Sequence, residues 1–269
     1  MICFPNAKIN LGLNIVSRLP NGYHNIETVF YPIPLCDVLE FVPAQKTSLY
    51  VEGVDFEGDI ENNLVVRVLR LLQKDFLLPE LEIFLQKKIP VGAGLGGGSS
   101  DAAFMLKMLN QFFGLELSIE QMENYVSQLG ADCAFFIKNK PVFATGIGNV
   151  FSDIDVLLKD LYLALIKPNI FVSTKEAYSN VVPKRPLIPL VDSIGQPVSF
   201  WKNTVENDFE KGIFELYPQI AKLKKDLYQN GAIYASMSGS GSSVYGIFQE
   251  KPILKISDCE LAFCEKFLE

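Results

Sequence analysis

Apolar and polar residues alternate along the chain with two different periods, so both strands and helices are expected. The first clear strand covers residues 8–15, in which every second residue is apolar. A period of two places the side chains of Lys8 and Asn10 on one face and the apolar side chains on the other. A turn is predicted at residues 18–23, where Asn21-Gly22 suits a backbone with positive φ.

Helical periods of three and four residues appear next. One helix is predicted from residue 64, after a cap at Asn62 or Asn63, and Pro79 is expected to stop it. A strand follows at residues 81–85. A second helix carries apolar residues from position 102 to 113 and is expected to end at Gly114, a residue type that favours helix termination.

The rest of the chain continues this mixture. Ser118-Ile-Glu-Gln121 resembles a capping box and predicts a helix that ends near residue 130. An irregular, proline-rich stretch is expected at residues 183–197 and a helix at about 218–230. Two strands joined by a glycine–serine loop are predicted within residues 233–248, and a last amphipathic helix is expected to close the chain.

This order of elements predicts an α/β protein of the α+β type. The chain has 269 residues, 49% of them apolar, which is enough for one large domain or two intimate ones. We place the expected boundary so that the domains cover residues 1–152 and 153–269.

Composition excludes several classes of protein. The formal charge of −7 argues against a nucleic-acid binder, but a nucleotide site needs only local N–H donors and one or two cations. Five cysteines without a Cys-x-x-Cys pair, beside a single histidine, indicate reduced thiols and no zinc cluster. No signal peptide is recognisable, and the apolar run at 161–166 is too short to span a bilayer, so a cytoplasmic protein is expected.

A glycine-rich loop, Pro90-Val-Gly-Ala-Gly-Leu-Gly-Gly-Gly-Ser-Ser-Asp101, joins a predicted strand to a predicted helix. Its glycines permit positive φ and a close approach of ligand to backbone, and the start of the helix adds free N–H groups and a dipole. The loop is therefore predicted to bind phosphate. No Gly-Lys-Ser/Thr closes it, so it is not a Walker A loop, and it also departs from a dinucleotide fingerprint. A flexible linker is the alternative, although the loop joins its two elements without slack.

Three motifs stand out along the chain: Asn6-Ala-Lys8-Ile-Asn10-Leu-Gly-Leu near the N-terminus, the loop at 90–101, and Ser236-Met-Ser-Gly-Ser-Gly-Ser-Ser243 near the C-terminus. In sequence, order and spacing they are similar to the motifs of the galactokinase, homoserine kinase, mevalonate kinase and phosphomevalonate kinase (GHMP) superfamily. The resemblance implies a two-domain fold, with a ribosomal-protein-like N-terminal domain, a C-terminal α+β domain and an active site in the cleft between them.

Four further segments narrow the resemblance: Asn21-Gly-Tyr-His24, Gly130-Ala-Asp132-Cys-Ala-Phe-Phe, Val172-Ser-Thr174-Lys-Glu-Ala-Tyr178 and Asn207-Asp-Phe-Glu210. They resemble segments of the 4-diphosphocytidyl-2-C-methyl-D-erythritol kinase branch of this superfamily. Two departures are visible: Asn21 replaces the more usual Asp, and Cys133-Ala134 stands where Val-Pro is expected. The resemblance covers nearly the whole chain.

The branch implies transfer of phosphate from ATP to the 2-hydroxyl of this cytidyl diphosphate substrate, in non-mevalonate isoprenoid biosynthesis. The implied catalytic residues are Asp132, which would take the hydroxyl proton, and Lys8, which would keep Asp132 ionised. From the residues alone, a structural ion pair or an N-cap role for Asp132 is equally open. The residues implied to bind ATP are Pro90, Val91, Gly92, Ala93, Gly94, Leu95, Gly96, Gly97, Gly98, Ser99 and Ser100. Those implied to bind the substrate are Asn10, Tyr23, His24, Thr174 and Tyr178.

Several points stay open at this level. The loop at 238–243 is expected to face the substrate phosphates or to buttress the first loop, with a tight hairpin as the alternative. Mg²⁺ is expected with ATP, but no carboxylate identifies itself as a ligand. A monomer or weak homodimer is expected. The alternatives are another GHMP kinase, of the homoserine or mevalonate type, and a non-catalytic ATP-dependent sensor on the same fold.

Overall fold

The computed structural model describes residues 1–54, 58–179, 181–254 and 259–267. In chain order its strands are β1 (Ile2–Cys3), β2 (Asn6–Arg18), β3 (His24–Cys36), β4 (Val38–Ala44), β5 (Ser48–Glu52), β6 (Glu80–Gln86), β7 (Val142–Thr145), β8 (Val150–Asp153), β9 (Tyr162–Pro168), β10 (Tyr234–Met237), β11 (Val244–Phe248) and β12 (Cys259–Lys266). Its α-helices are α1 (Leu64–Leu72), α2 (Gly97–Phe113), α3 (Ile119–Ser127), α4 (Phe135–Lys138), α5 (Thr174–Ser179), α6 (Leu190–Ile194), α7 (Phe209–Leu216) and α8 (Pro218–Gln229). Short 3₁₀ helices lie at Ile60–Asn62 and Val198–Asn203. The mixture confirms the predicted fold class.

The chain forms two compact units, each made of separate segments. The first unit contains Met1–Ala7, Leu35–Val91 and Gly96–Lys140. The second contains Lys8–Pro34, Gly92–Leu95 and the described chain from Pro141 onwards. Because each unit is made of several segments, these units do not test the predicted division at residue 152, which stays a prediction.

In the first unit, helices α1 to α4 accompany a four-stranded sheet of order β1-β4-β6-β5. Strand β6 pairs antiparallel with β4 and parallel with β5, and its alternate residues Leu81, Ile83 and Leu85 are buried, as the period of two predicts. Helix α1 buries its apolar face against α2.

The helix caps of this unit follow the sequence closely. Of the two predicted caps for α1, Asn63 is the one used, since its side chain accepts the N–H of Val65 at 3.1 Å. Gly114 ends α2 in the left-handed conformation, and Ser118 forms the predicted capping box with Gln121. The prediction that α1 continues to Pro79 is wrong. The helix ends at Leu72, and the residues that follow form turn hydrogen bonds.

The second unit contains the sheet of order β10-β11-β9-β12 and, except for residues 6–7 of β2 and 35–36 of β3, the sheet of order β2-β3-β7-β8. Helices α7 and α8 pack together, and α8 packs against β10 and β11. One apolar cluster joins Leu13 and Ile15 of β2 to Phe209 of α7, Ile220 of α8 and Val244 of β11. This core fixes β2 and the loop between β10 and β11 within the same body.

The predicted final helix is wrong. Residues 259–266 form β12, which pairs antiparallel with β9, so that Phe263 lies opposite Leu165. The edge of β9 supplies backbone partners that a helix could not use, and the alternate residues Leu261 and Phe263 fit a strand. The stretch at 183–197 is also less irregular than expected, because it contains α6. Within the described residues, no helix is long and apolar enough to cross a membrane.

Candidate active site

In the part of the glycine-rich loop that belongs to the second unit, the carbonyl group of Gly94 accepts two hydrogen bonds from other segments of the chain. It accepts a hydrogen bond from Nζ of Lys8 at 3.3 Å and another from Oγ of Ser238 at 2.9 Å. Gly94 has a φ of 76°, and a Cβ there would lie 2.0 Å from the carbonyl oxygen of Ser238. Only glycine satisfies both the conformation and the approach.

The second glycine–serine loop therefore contacts the first. Besides Ser238, the N–H of Ser243 donates to the carbonyl of Ala93 at 3.4 Å. The side chain of Asn207 holds this second loop through the carbonyls of Met237 and Gly239, at 2.8 and 2.9 Å. Residues 238–243 were expected either to face the substrate phosphates or to buttress the first loop. These contacts show that they buttress the first loop.

The first unit contains the start of α2, where the loop ends. Gly96 is the N-cap, with a φ of 71°, and its carbonyl accepts the N–H of Ser100 at 2.9 Å. Within the described part of the chain, no group accepts the N–H groups of residues 96–99. The buried hydroxyl of Ser100 likewise has no partner among the described residues. These donors, with the positive end of the helix dipole, are what a phosphate group requires.

Three buried charged residues, Asp37, Lys87 and Asp101, form an ion cluster beside this loop, with Lys87 before the loop in sequence and Asp101 at its end. Nζ of Lys87 donates to a carboxylate oxygen of Asp37 and, at 2.7 Å, to Oδ2 of Asp101. Oδ1 of Asp37 accepts the backbone N–H groups of Lys88 and Ile89. The cluster thus ties the chain after β6 to the first turn of α2. Sequence reasoning missed it, because Asp37 is far from the loop in sequence.

Two carboxylates share one ammonium group in this cluster. Burial raises the pKa of Asp101 to about 7, with the charge of Asp37 adding to the rise and Lys87 opposing it. Burial lowers the pKa of Lys87, but Asp101 and Asp37 outweigh that effect and the net shift is upward. Oδ1 of Asp101 is buried and has no hydrogen-bond partner among the described residues.

Strand β2 places Lys8 and Asn10 on the same face, as its period predicts. Both side chains are buried, because the strand is covered on both faces. Nζ of Lys8 donates to Oδ1 of Asn10 at 2.6 Å and lies 4.8 Å from the centre of the Phe30 ring. The Lys8 ammonium is thereby held beside the carbonyl of Gly94.

The structure brings two of the predicted substrate residues together. The rings of His24 and Tyr178 stack with their centres 4.8 Å apart, and Tyr178 packs edge-on against Phe209. Burial, aided by the charge of Arg18, lowers the pKa of His24, so its imidazole is neutral near pH 7. Thr174 starts α5, which carries Tyr178 one turn later.

The turn before β3 accommodates the departure at Asn21. Gly22 has a φ of 86°, and the side chain of Asn21 accepts the N–H of Tyr23 at 3.1 Å, as an aspartate would. The Tyr23 side chain is 61% exposed, which leaves its ring available for stacking.

Asp132 lies in the first unit, in the turn between α3 and α4. Lys8 belongs to the second unit, and the pairing of these two side chains stays a prediction. The departure at Cys133 places a fully buried thiol beside Asp132, and burial raises its pKa to about 11, so the thiol stays protonated at neutral pH. Among the described residues, no group of three or more His, Cys, Asp or Glu side chains could hold a metal ion.

Comparisons with known proteins give a consistent family. Residues 63–140 match the family model for the GHMP kinases N terminal domain, and residues 188–258 match that for GHMP kinases C terminal. A 4-diphosphocytidyl-2-C-methyl-D-erythritol kinase from Bacteroides fragilis is 56% identical over 268 residues, which cover 98% of each chain. A protein of the same name from Parabacteroides distasonis is 54% identical and covers 97% of this chain and 98% of its own.

One solved structure with a similar fold is the crystal structure of a 4-(cytidine 5'-diphospho)-2C-methyl-D-erythritol kinase. It superposes with a TM-score of 0.77 at 29% identity, over 92% of this chain and 90% of its own. The relatives thus span both compact units.

Replacing Gly94 by alanine is expected to lower the free energy of unfolding by about 2 kcal/mol or more, because Ala disfavours positive φ and its methyl group would overlap the Ser238 carbonyl. Gly98→Ala is the matched control: its methyl group would meet only Leu64, at 3.6 Å, and alanine favours the helix by up to about 1 kcal/mol. Urea unfolding measures both. A Gly94→Ala protein as stable as the wild type would contradict this account of the loop.

The Asp101 carboxyl is expected to make stability depend on pH. Its pKa rises on folding from 3.8 to about 7, so the native state binds more protons than the unfolded state between these values. This contribution to the free energy of unfolding is present below about pH 4 and is lost as pH rises towards 7. Urea unfolding from pH 4 to 8 should show this fall in the wild type but not in Asp101→Asn. Asp192→Asn, which removes an exposed carboxylate, controls for net charge; equal slopes in all three proteins would exclude the effect.

Proposed function

We propose that this chain, which belongs to the 4-diphosphocytidyl-2-C-methyl-D-erythritol kinase family of GHMP kinases, transfers the γ-phosphoryl group of ATP to the 2-hydroxyl group of that acceptor. The products are the 2-phosphate and ADP, and the reaction belongs to non-mevalonate isoprenoid biosynthesis. The observation that carries the proposal is the 56% identity to a kinase of this name over 98% of both chains.

The glycine-rich loop supports the ATP half of the reaction. In the transition state, negative charge is spread over the three equatorial oxygens of the transferred phosphoryl group. Catalysis therefore consists mainly of positioning the reactants and stabilising this charge. The N–H groups of residues 96–99 supply fixed donors for the ATP phosphates, and the Lys8 ammonium supplies a cation. Mg²⁺ is expected to enter with ATP, since phosphate oxygens bind it well.

The acceptor half needs a base and an oriented hydroxyl. Asp132 is the proposed base, because it lies in a turn and is only partly buried, so its carboxylate can meet a substrate. Lys8 is proposed to keep this carboxylate ionised and to polarise the hydroxyl group. The contact of Asn10 with the substrate polyol stays a prediction, and its amide also holds Lys8.

The cytosine end of the acceptor is assigned to the aromatic residues around β3 and α5. The exposed ring of Tyr23 can stack on a base, and the neutral imidazole of His24 can donate one hydrogen bond and accept another. Tyr178 holds the His24 ring in place by stacking. Thr174 is a further proposed contact on this side. A small polyol or amino-acid substrate would have no use for this aromatic group.

The setting of the enzyme also remains a proposal. Reduced thiols are consistent with the cytoplasm, and all five cysteines are free in the described structure. A monomer or weak homodimer stays the expectation from the sequence.

Turnover of the cytidyl acceptor is expected to exceed that of homoserine or mevalonate by several orders of magnitude, because only the former can use the aromatic residues. A coupled assay for ADP release, run over all three acceptors, measures this. Omitting the acceptor gives the background rate of ATP hydrolysis. Turnover of homoserine or mevalonate without turnover of the cytidyl compound would refute the acceptor assignment.

Asp132→Asn is expected to bind ATP normally and to lose turnover by about 10²-fold or more, because asparagine cannot take the hydroxyl proton. Nucleotide affinity is measured by calorimetry and turnover by ADP release. Asp192→Asn is the control for loss of one carboxylate. Near-normal turnover of Asp132→Asn would remove this residue from the mechanism and leave the non-catalytic sensor open.

A further inference from the structure

Thr28 of β3 lies in the second unit and is completely buried beside β2. Its hydroxyl group donates to the carbonyl oxygen of Gly12 at 2.5 Å, and Nδ2 of Asn10 donates to its Oγ1 at 2.9 Å. Neither the sequence patterns nor the family resemblance pointed to this residue.

The direction of these two hydrogen bonds follows from chemistry. A carbonyl oxygen can only accept, so the single hydroxyl proton of Thr28 must point at Gly12. Oγ1 can then act only as an acceptor towards Asn10, whose amide nitrogen is the donor it requires. Thr28 therefore requires the nitrogen of the Asn10 amide on its side, because hydrogen-bond partners fix the orientation of an amide.

The Lys8 ammonium requires the same orientation of the Asn10 amide from the other side. With its nitrogen on Thr28, the Asn10 amide turns Oδ1 towards Nζ of Lys8, 2.6 Å away. A reversed amide would place NH₂ against the ammonium group, donor against donor. Nζ of Lys8 also reaches the Gly94 carbonyl of the glycine-rich loop. One continuous set of contacts thus runs from Gly12 through Thr28, Asn10 and Lys8 to Gly94.

We propose that Thr28 is a positioning residue for phosphoryl transfer, acting through the orientation of Asn10 on the Lys8 ammonium. The proposal rests on the role given to Lys8 in the proposed function. The competing explanation is that the hydroxyl group stabilises the β2–β3 sheet and does nothing more. The two differ in what they predict for catalysis once stability is accounted for.

Thr28→Val keeps the shape and removes both hydrogen bonds. We expect kcat to fall up to about 100-fold, as for a displaced catalytic group, with the KM for ATP little changed. Thr28→Ser keeps the hydroxyl group and should restore most of kcat. Thr47→Val, which removes a buried, hydrogen-bonded hydroxyl in the first unit, is the control and should keep wild-type kcat. A Thr28→Val enzyme with wild-type kcat would overturn the proposal.

A double-mutant cycle shows whether Thr28 acts through Asn10. If it does, Thr28→Val should lower kcat in the wild type but hardly at all in an Asn10→Ala background. An equal loss of kcat in both backgrounds would overturn the proposal.

A readout without acceptor separates this inference from the proposed function. In ¹⁵N-labelled protein, the side-chain amide signal of Asn10, identified by its loss in Asn10→Ala, should exchange slowly with water in the wild type and in Thr28→Ser. Fast exchange in the wild type would overturn the proposal even if Thr28→Val failed to fold. Failure of the wild type to phosphorylate the cytidyl acceptor would refute the proposed function and leave the amide result to decide the role of Thr28 in holding Asn10.

Discussion

The Gly94 carbonyl is the contact on which the arrangement of the second unit's loops depends. It accepts hydrogen bonds from Lys8 on β2 and from Ser238 on the second glycine–serine loop, so one oxygen joins three segments that are far apart in sequence. A side chain at position 94 would break the junction, because it would occupy the space of the Ser238 carbonyl. Glycine is therefore needed at position 94 for the close packing of the two loops, and not only for the approach of a ligand to the backbone.

Buried lysines have a common use in this protein. Lys8, Lys87 and Lys167 are each less than a tenth exposed, and each binds oxygen atoms at or next to a loop. Lys87 joins two carboxylates around the first loop, while Lys167 holds the carbonyl of Ile170, which the second loop also contacts through Ser242. Burying an ammonium group is unfavourable unless oxygen partners surround it. The lysines can thus specify one loop conformation, because other conformations would leave a charge unsatisfied.

Local features of the sequence predicted local features of the structure. The period of two in β2, the Asn63 cap, the Gly114 stop and the Ser118 capping box each depend on neighbouring residues and were correctly identified. The last strand was missed because its residues fit a helical period as well, and pairing with β9 decided between them. A strand's pairing partner is not visible in its own residues.

In the candidate site too, features that depend on neighbouring residues could be predicted from the sequence, and features that depend on distant partners could not. The glycine-rich loop and the polar face of β2 could be predicted, because a run of glycines and an alternation of polar and apolar residues are visible in the sequence itself. The Asp37–Lys87–Asp101 cluster and Thr28 could not, since each owes its role to contacts across other elements. The contact of His24 with Tyr178 lies between these cases: the residues were predicted separately, and the fold stacks them.

The most direct test of the central claim is phosphorus NMR of a reaction that contains the enzyme, Mg-ATP and 4-diphosphocytidyl-2-C-methyl-D-erythritol. The account predicts one new phosphomonoester signal per ADP formed, with the diphosphate bridge of the acceptor intact and the new phosphate coupled to its 2-position carbon. Formation of inorganic phosphate alone, or a phosphate attached at another hydroxyl, would contradict it.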